Sequence, residues 1–154
     1  MISIVLLFVI AIAIITGQYF YDSIDGASVF SGSQEAQDAY AVTGNTLGVL
    51  NTVFIVLVLA VGIGSIIAAY YVSSNPAFFL VLFPINAVIV ILASVFSNAF
   101  DALIAGGYAG AANQQTLIVL VLRNFPVITV VFAFIALILA YSKTGTGGMG
   151  GRLG

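Results

Sequence analysis

Four long apolar runs constrain this chain more than any other feature. They cover about residues 2–21, 47–72, 77–104 and 116–141, and an α-helix of about 20 residues is what a hydrocarbon core of about 30 Å requires. Soluble domains carry charge on about a quarter of their residues, whereas here 5% are charged and 62% are hydrophobic. Val and Ile are abundant, which favours strands, but the strands of a membrane barrel are short and alternate polar with apolar residues. These runs are long and apolar nearly all round, as lipid-surrounded helices are. The expected fold is therefore all-α: a compact bundle of four transmembrane helices within residues 1–142, with a flexible Gly-rich tail at 143–154.

The first run ends in Tyr19, Phe20 and Tyr21, an aromatic cluster suited to the membrane interface. No Lys or Arg precedes it, so the basic n-region of a signal peptide is missing and the run reads as an uncleaved span. The next stretch is polar, holds Asp22, Asp25, Glu35 and Asp38, and belongs in water or among headgroups. A short surface helix is expected there over about 33–42, with Ser33 as its N-cap. "SSNP" at 73–76 reads as a tight turn in which Asn75 caps a helix that starts at Pro76. "GG" at 106–107 is expected to stop the third run, with "YAGAANQQ" a loop. Four crossings put both termini on one side, and Lys143 and Arg152 make that side cytoplasmic, or interior, by the positive-inside rule.

Polar residues inside the runs are the candidates for function. "LRNFP" at 122–126 sets Arg123, Asn124 and Pro126 in strongly apolar surroundings. Counted from the start of the run, Arg123 lies about 10 Å deep at 1.5 Å per residue. Its guanidinium can snorkel to the headgroups, pair with Asp101 near the end of the third span, or hold an anion or lipid headgroup. Pro84 and Pro126 each remove a hydrogen bond to the carbonyl four residues earlier and are expected to kink the third and fourth helices. Asn86 and Asn124 stand near enough to satisfy the freed carbonyls. The same two prolines could instead mark a broken helix lining a polar cavity, as in transporters. Asn51, Asn86, Asn98 and Asn124 are expected to donate hydrogen bonds between helices. Ala60, Gly64 and Ala68 recur at a spacing of four, as do Ala13 with Gly17. Such small-residue faces let a second backbone come close, either within the bundle or from a partner or a second copy.

Much chemistry is absent. With no Cys and no His, disulfides, thiolate chemistry, an imidazole base and His or Cys ligation of zinc or haem are excluded. No carboxylate lies in the centre of a run, as pumps require; Asp101 is at an edge. The tail's "TGTGGMGG" leads into no helix and makes no phosphate cradle. There is neither a Ser–His pair nor a spaced carboxylate pair, and no basic patch for nucleic acid. No catalytic residue, cofactor, metal or soluble small-molecule substrate is expected. Four spans with a larger first loop resemble the layout of tetraspanins and claudins, but the cysteines and tryptophans on which those families depend are missing.

The expected role is a non-enzymatic structural or accessory subunit of a membrane assembly, either a cellular complex or the membrane of a virion. Its partners would be the lipid bilayer and other membrane proteins or copies of itself. The alternative is an oligomeric, holin-like pore lined by Asn51, Asn86, Arg123 and Asn124. A small transporter with its substrate site at the two prolines is a third reading.

Overall fold

A computed structural model describes residues 2–25, 32–71 and 76–144. The described elements are all helical: α1 (Ile2–Asp25), α2 (Gln34–Tyr71), α3 (Pro76–Leu103), a π-helical turn (Ile104–Tyr108), α4 (Ala109–Gln114), α5 (Thr116–Arg123) and α6 (Phe125–Thr144). Four segments among them are long and apolar enough to cross a membrane: Ser3–Ile24, Gln34–Tyr71, Leu80–Gln114 and Phe125–Ser142. This all-helical architecture is compatible with a multi-pass membrane protein. The turn expected at 73–76 with Asn75 as cap, and the tail from residue 145 with Arg152, lie outside the described residues.

The helix boundaries depart from the sequence expectation in four places, each for a local reason. α1 runs past Tyr21 to Asp25, where the Ser23 hydroxyl donates to the Tyr19 carbonyl at 2.7 Å and so stays on its own helix. The expected surface helix and second span are one helix of 38 residues. Ser33 does cap it, its Oγ accepting from the Ala36 N–H at 3.4 Å. "TGNT" at 43–46 does not break it; there Thr43 and Thr46 satisfy their hydroxyls on the helix itself, donating to the carbonyls of Ala39 and Val42 at 3.0 and 2.8 Å. Tyr21 lies against the bare Gly44 and stacks on Tyr40 with ring centroids 4.0 Å apart, so the end of α1 braces this stretch.

The third departure is at "GG". The α-helix gives way at Ile104, and Gly107 turns the chain at φ 123°, a conformation that side chains with a Cβ strongly disfavour. Beyond this turn the chain forms the short helix α4 rather than a loop. The fourth departure is in the last run. Helix 116–141 is interrupted at Asn124 (φ −98°, ψ 13°), two residues before Pro126. α3, by contrast, is continuous through Pro84.

Packing joins α3 to α6 most extensively, with α2 against both α1 and α6. Phe54, Phe100, Ile15, Ile118 and Leu122 are fully buried at the centre, and Phe8 stacks on Phe96 with centroids 4.6 Å apart to tie α1 to α3. At Gly62 the ring of Phe132 occupies the space where a Cβ would be, so α2 and α6 approach through a missing side chain. Leu80, Phe83, Ile91 and Phe134 face outward on the described surface. So large an apolar exterior suits lipid as solvent.

Gly62 and Gly64 should therefore respond differently to the same change. Gly62→Val forces Phe132 out of place and should lower stability by about 1–3 kcal/mol. Gly64→Val meets open space and should stay within about 0.5 kcal/mol of the parent. Reversible unfolding of the purified protein in mixed micelles measures both.

Candidate functional site

Among the described residues, a polar cluster built on two buried glutamines sits where the end of α1 meets α2, α4 and the start of α5. Gln18, on α1, is 3% exposed and Gln115, between α4 and α5, is 1% exposed. Gln115 Nε2 donates to Gln18 Oε1 at 3.0 Å and to the Leu47 carbonyl of α2 at 3.3 Å. Gln18 Nε2 donates to Asp22 Oδ1 at 2.9 Å and to Gln114 Oε1 at 2.6 Å. Gln114 Nε2 in turn reaches both carboxylate oxygens of Asp22 at 3.2 Å. Beside the cluster, Asn51 Oδ1 accepts from the backbone N–H of Ile118 at 3.1 Å. That N–H is one of the first-turn donors of α5, which have no partner inside their own helix. Gln115 Oε1 is the single buried side-chain polar atom without a partner among the described residues. The cluster is built of amides and one carboxylate, and it fastens three segments distant in sequence at one point.

The second site surrounds the interruption at Asn124. Arg123 Nε lies 3.0 Å from Asp101 Oδ1, linking α5 to α3, with the two side chains 55% and 51% exposed. Behind it the buried Ser97 hydroxyl, from α3, donates to the Arg123 carbonyl at 3.1 Å. Asn124 Nδ2 donates to the Leu120 carbonyl at 2.8 Å. The break at Asn124 divides the expected run 116–141 into α5, which ends at Arg123, and α6, and α6 by itself is long and apolar enough to cross a membrane.

The sequence candidates separate when placed in space. Asn51 bonds across helices, but as an acceptor. Asn86 and Asn124 bond to carbonyls of their own chain segments, Leu82 (at 3.0 Å) and Leu120, not to Leu80 or Leu122, which the prolines free. The short amide side chain reaches its own preceding turn more readily than a neighbouring helix. Ala60, Gly64 and Ala68 are all exposed on α2, and among the described residues no other part of the chain lies within 4 Å of a Cβ placed on Gly64. Ala13 is exposed too, while a Cβ on Gly17 would meet Leu47 at 3.5 Å. Small residues used for close internal packing include Gly44, Gly62 and the fully buried Ala11 and Ala93. Gln18, Gln114, Gln115 and Asp22 were not singled out by sequence. The available signal was Gln18 four residues before Asp22, which places both on one face of a helix.

No protein-family model, no curated protein and no solved structure matches this chain. Its own residues are what bear on its role.

Two sets of variants test these sites. Gln18→Leu strands the buried Gln115 amide and should cost about 1–3 kcal/mol, while Gln18→Leu combined with Gln115→Leu should recover part of that loss. A double-mutant cycle of unfolding free energies measures the recovery. For the ion pair, Asp101→Arg with Arg123→Asp should give more assembled, monodisperse protein than either single change, as read by detergent size-exclusion chromatography. The half-exposed pair itself should contribute no more than about 1 kcal/mol in water-like surroundings.

Proposed function

We propose that this chain is a non-enzymatic structural or accessory subunit of a membrane assembly, either a cellular complex or the lipid membrane of a virion. In this reading it is a compact four-helix bundle, bent at Pro84 and Pro126, with both termini on the cytoplasmic or interior side. The observation that carries the reading is the Ala60–Gly64–Ala68 face. It has the spacing that lets two helices touch backbone to backbone, and among the described residues no helix covers it. A helix of another membrane protein, or α2 of a second copy, fits there without displacing anything. The bonded groups described above support a fastening role, since the glutamine cluster and the Asp101–Arg123 pair both join segments of this chain to each other.

The reading is tested by purification in mild detergent from its native membrane. A stoichiometric membrane partner, or a defined oligomer, is expected with the parent chain. Gly64→Leu should reduce that association at least about tenfold, the effect of losing about 1.4 kcal/mol, while leaving the bundle folded. Dye-loaded vesicles containing the purified chain at modest density should stay sealed; leakage would favour the holin-like pore instead.

A further inference from the structure

A half-enclosed cavity of about 200 Å³ lies among α1, α2, α3 and α6. Each of these helices contributes one uncharged polar side chain to it: Ser3 from α1, Ser65 from α2, Asn86 from α3 and Thr129 from α6. The rest of the lining is apolar and no charged residue takes part. Leu7, Val58 and Phe125 form buried wall, and Phe132, seated on Gly62, forms another side.

The chemistry of the lining selects a ligand. An apolar cavity of about 150 Å³ already takes up a molecule the size of benzene, so this one admits a larger apolar group. The lack of charge argues against a carboxylate, phosphate or ammonium group, whose desolvation nothing here would offset. The one donor of Ser65 Oγ is engaged by the Val61 carbonyl at 2.8 Å, and one of the two N–H donors of Asn86 Nδ2 by the Leu82 carbonyl at 3.0 Å. Their oxygens, Ser65 Oγ and Asn86 Oδ1, retain lone pairs that can accept. We infer that the cavity is a binding site for an uncharged lipid alcohol, its apolar body against Leu7, Val58 and Phe132 and its hydroxyl donating to the Asn86 or Ser65 oxygen. The site is independent of the subunit role, because the cavity lies between the helices and the Ala60–Gly64–Ala68 face lies outside them.

Photolabelling in phosphatidylcholine vesicles tests this, with three diazirine probes: hexadecanol, palmitate and a plain hydrocarbon. The hexadecanol probe should label residues 58–65 and 125–136 saturably, and unlabelled hexadecanol should displace it. Asn86→Leu should weaken that labelling by about fivefold, the effect of one lost hydrogen bond, and leave the hydrocarbon probe unchanged. Ala133→Phe should remove the saturable component; Ala136→Leu serves the same purpose if the larger side chain prevents folding, as judged by elution and circular dichroism. Labelling that rises linearly with probe and spreads over outward residues such as Leu80 and Phe134 would overturn the site. Equal displacement of the probe by unlabelled palmitate or hydrocarbon would overturn the assignment of an alcohol.

Discussion

Hydrocarbon offers no hydrogen-bond partner, so each polar group carried into it must be answered from within the protein. That constraint accounts for where the irregular backbone of this chain is found. The interruption at Asn124 is flanked by the Ser97 hydroxyl on the Arg123 carbonyl and the Asn124 amide on the Leu120 carbonyl. The first turn of α5 receives the Asn51 side chain. The kink after α3 is made by a glycine, Gly107, and the buried corner beyond it carries two glutamines that bond to α1 and α2. Where the backbone is irregular, polar side chains stand beside it, whereas Ser65 and Asn86 in the continuous helices bond back to their own preceding turns.

The two ends of the molecule are consequently held in different ways. Toward the end of α1 and the start of α5, directional bonds among Gln18, Asp22, Gln114 and Gln115 fix which helices meet. Toward the other end, helices α2 and α6 meet through shape, with the Phe132 ring filling the space left by Gly62. Between lipid tails and apolar side chains there is little hydrophobic difference, so such fit and such bonds must supply the specificity that water exclusion gives a soluble core.

Element type was legible in the sequence because length and apolarity decide it, and those two properties alone give the four crossing segments. Boundaries were less so. The polar stretch at 43–46 carries the composition of a break, yet its threonines bond back to the helix, a choice that composition does not encode. "YAGAANQQ" looks like a loop, but its alanines are helix formers and the buried Ala111 and Ala112 pack against the bundle. Arg123 and Asp101 could be paired on paper because consecutive antiparallel helices place their ends together. The glutamine cluster could not, since its members lie 96 and 97 residues apart in sequence and amides give no charge pattern to match. Nor did the pattern distinguish Gly62 from Gly64, two residues apart on one helix: one faces Phe132 and the other faces outward.

The unbroken α2 has a geometric consequence. Its 38 residues extend about 57 Å at 1.5 Å per residue, against about 30 Å of hydrocarbon. Such a helix exceeds one hydrocarbon thickness, so its first turns, bearing Glu35 and Asp38, are the part least suited to lipid, and they lead into the Tyr40 ring stacked on Tyr21 of α1. A continuous helix ties the position of Glu35 and Asp38 to the tilt of the apolar portion, so the acidic turns and the buried Phe54 and Val58 move as one rod, a coupling that a loop of the same composition would lack.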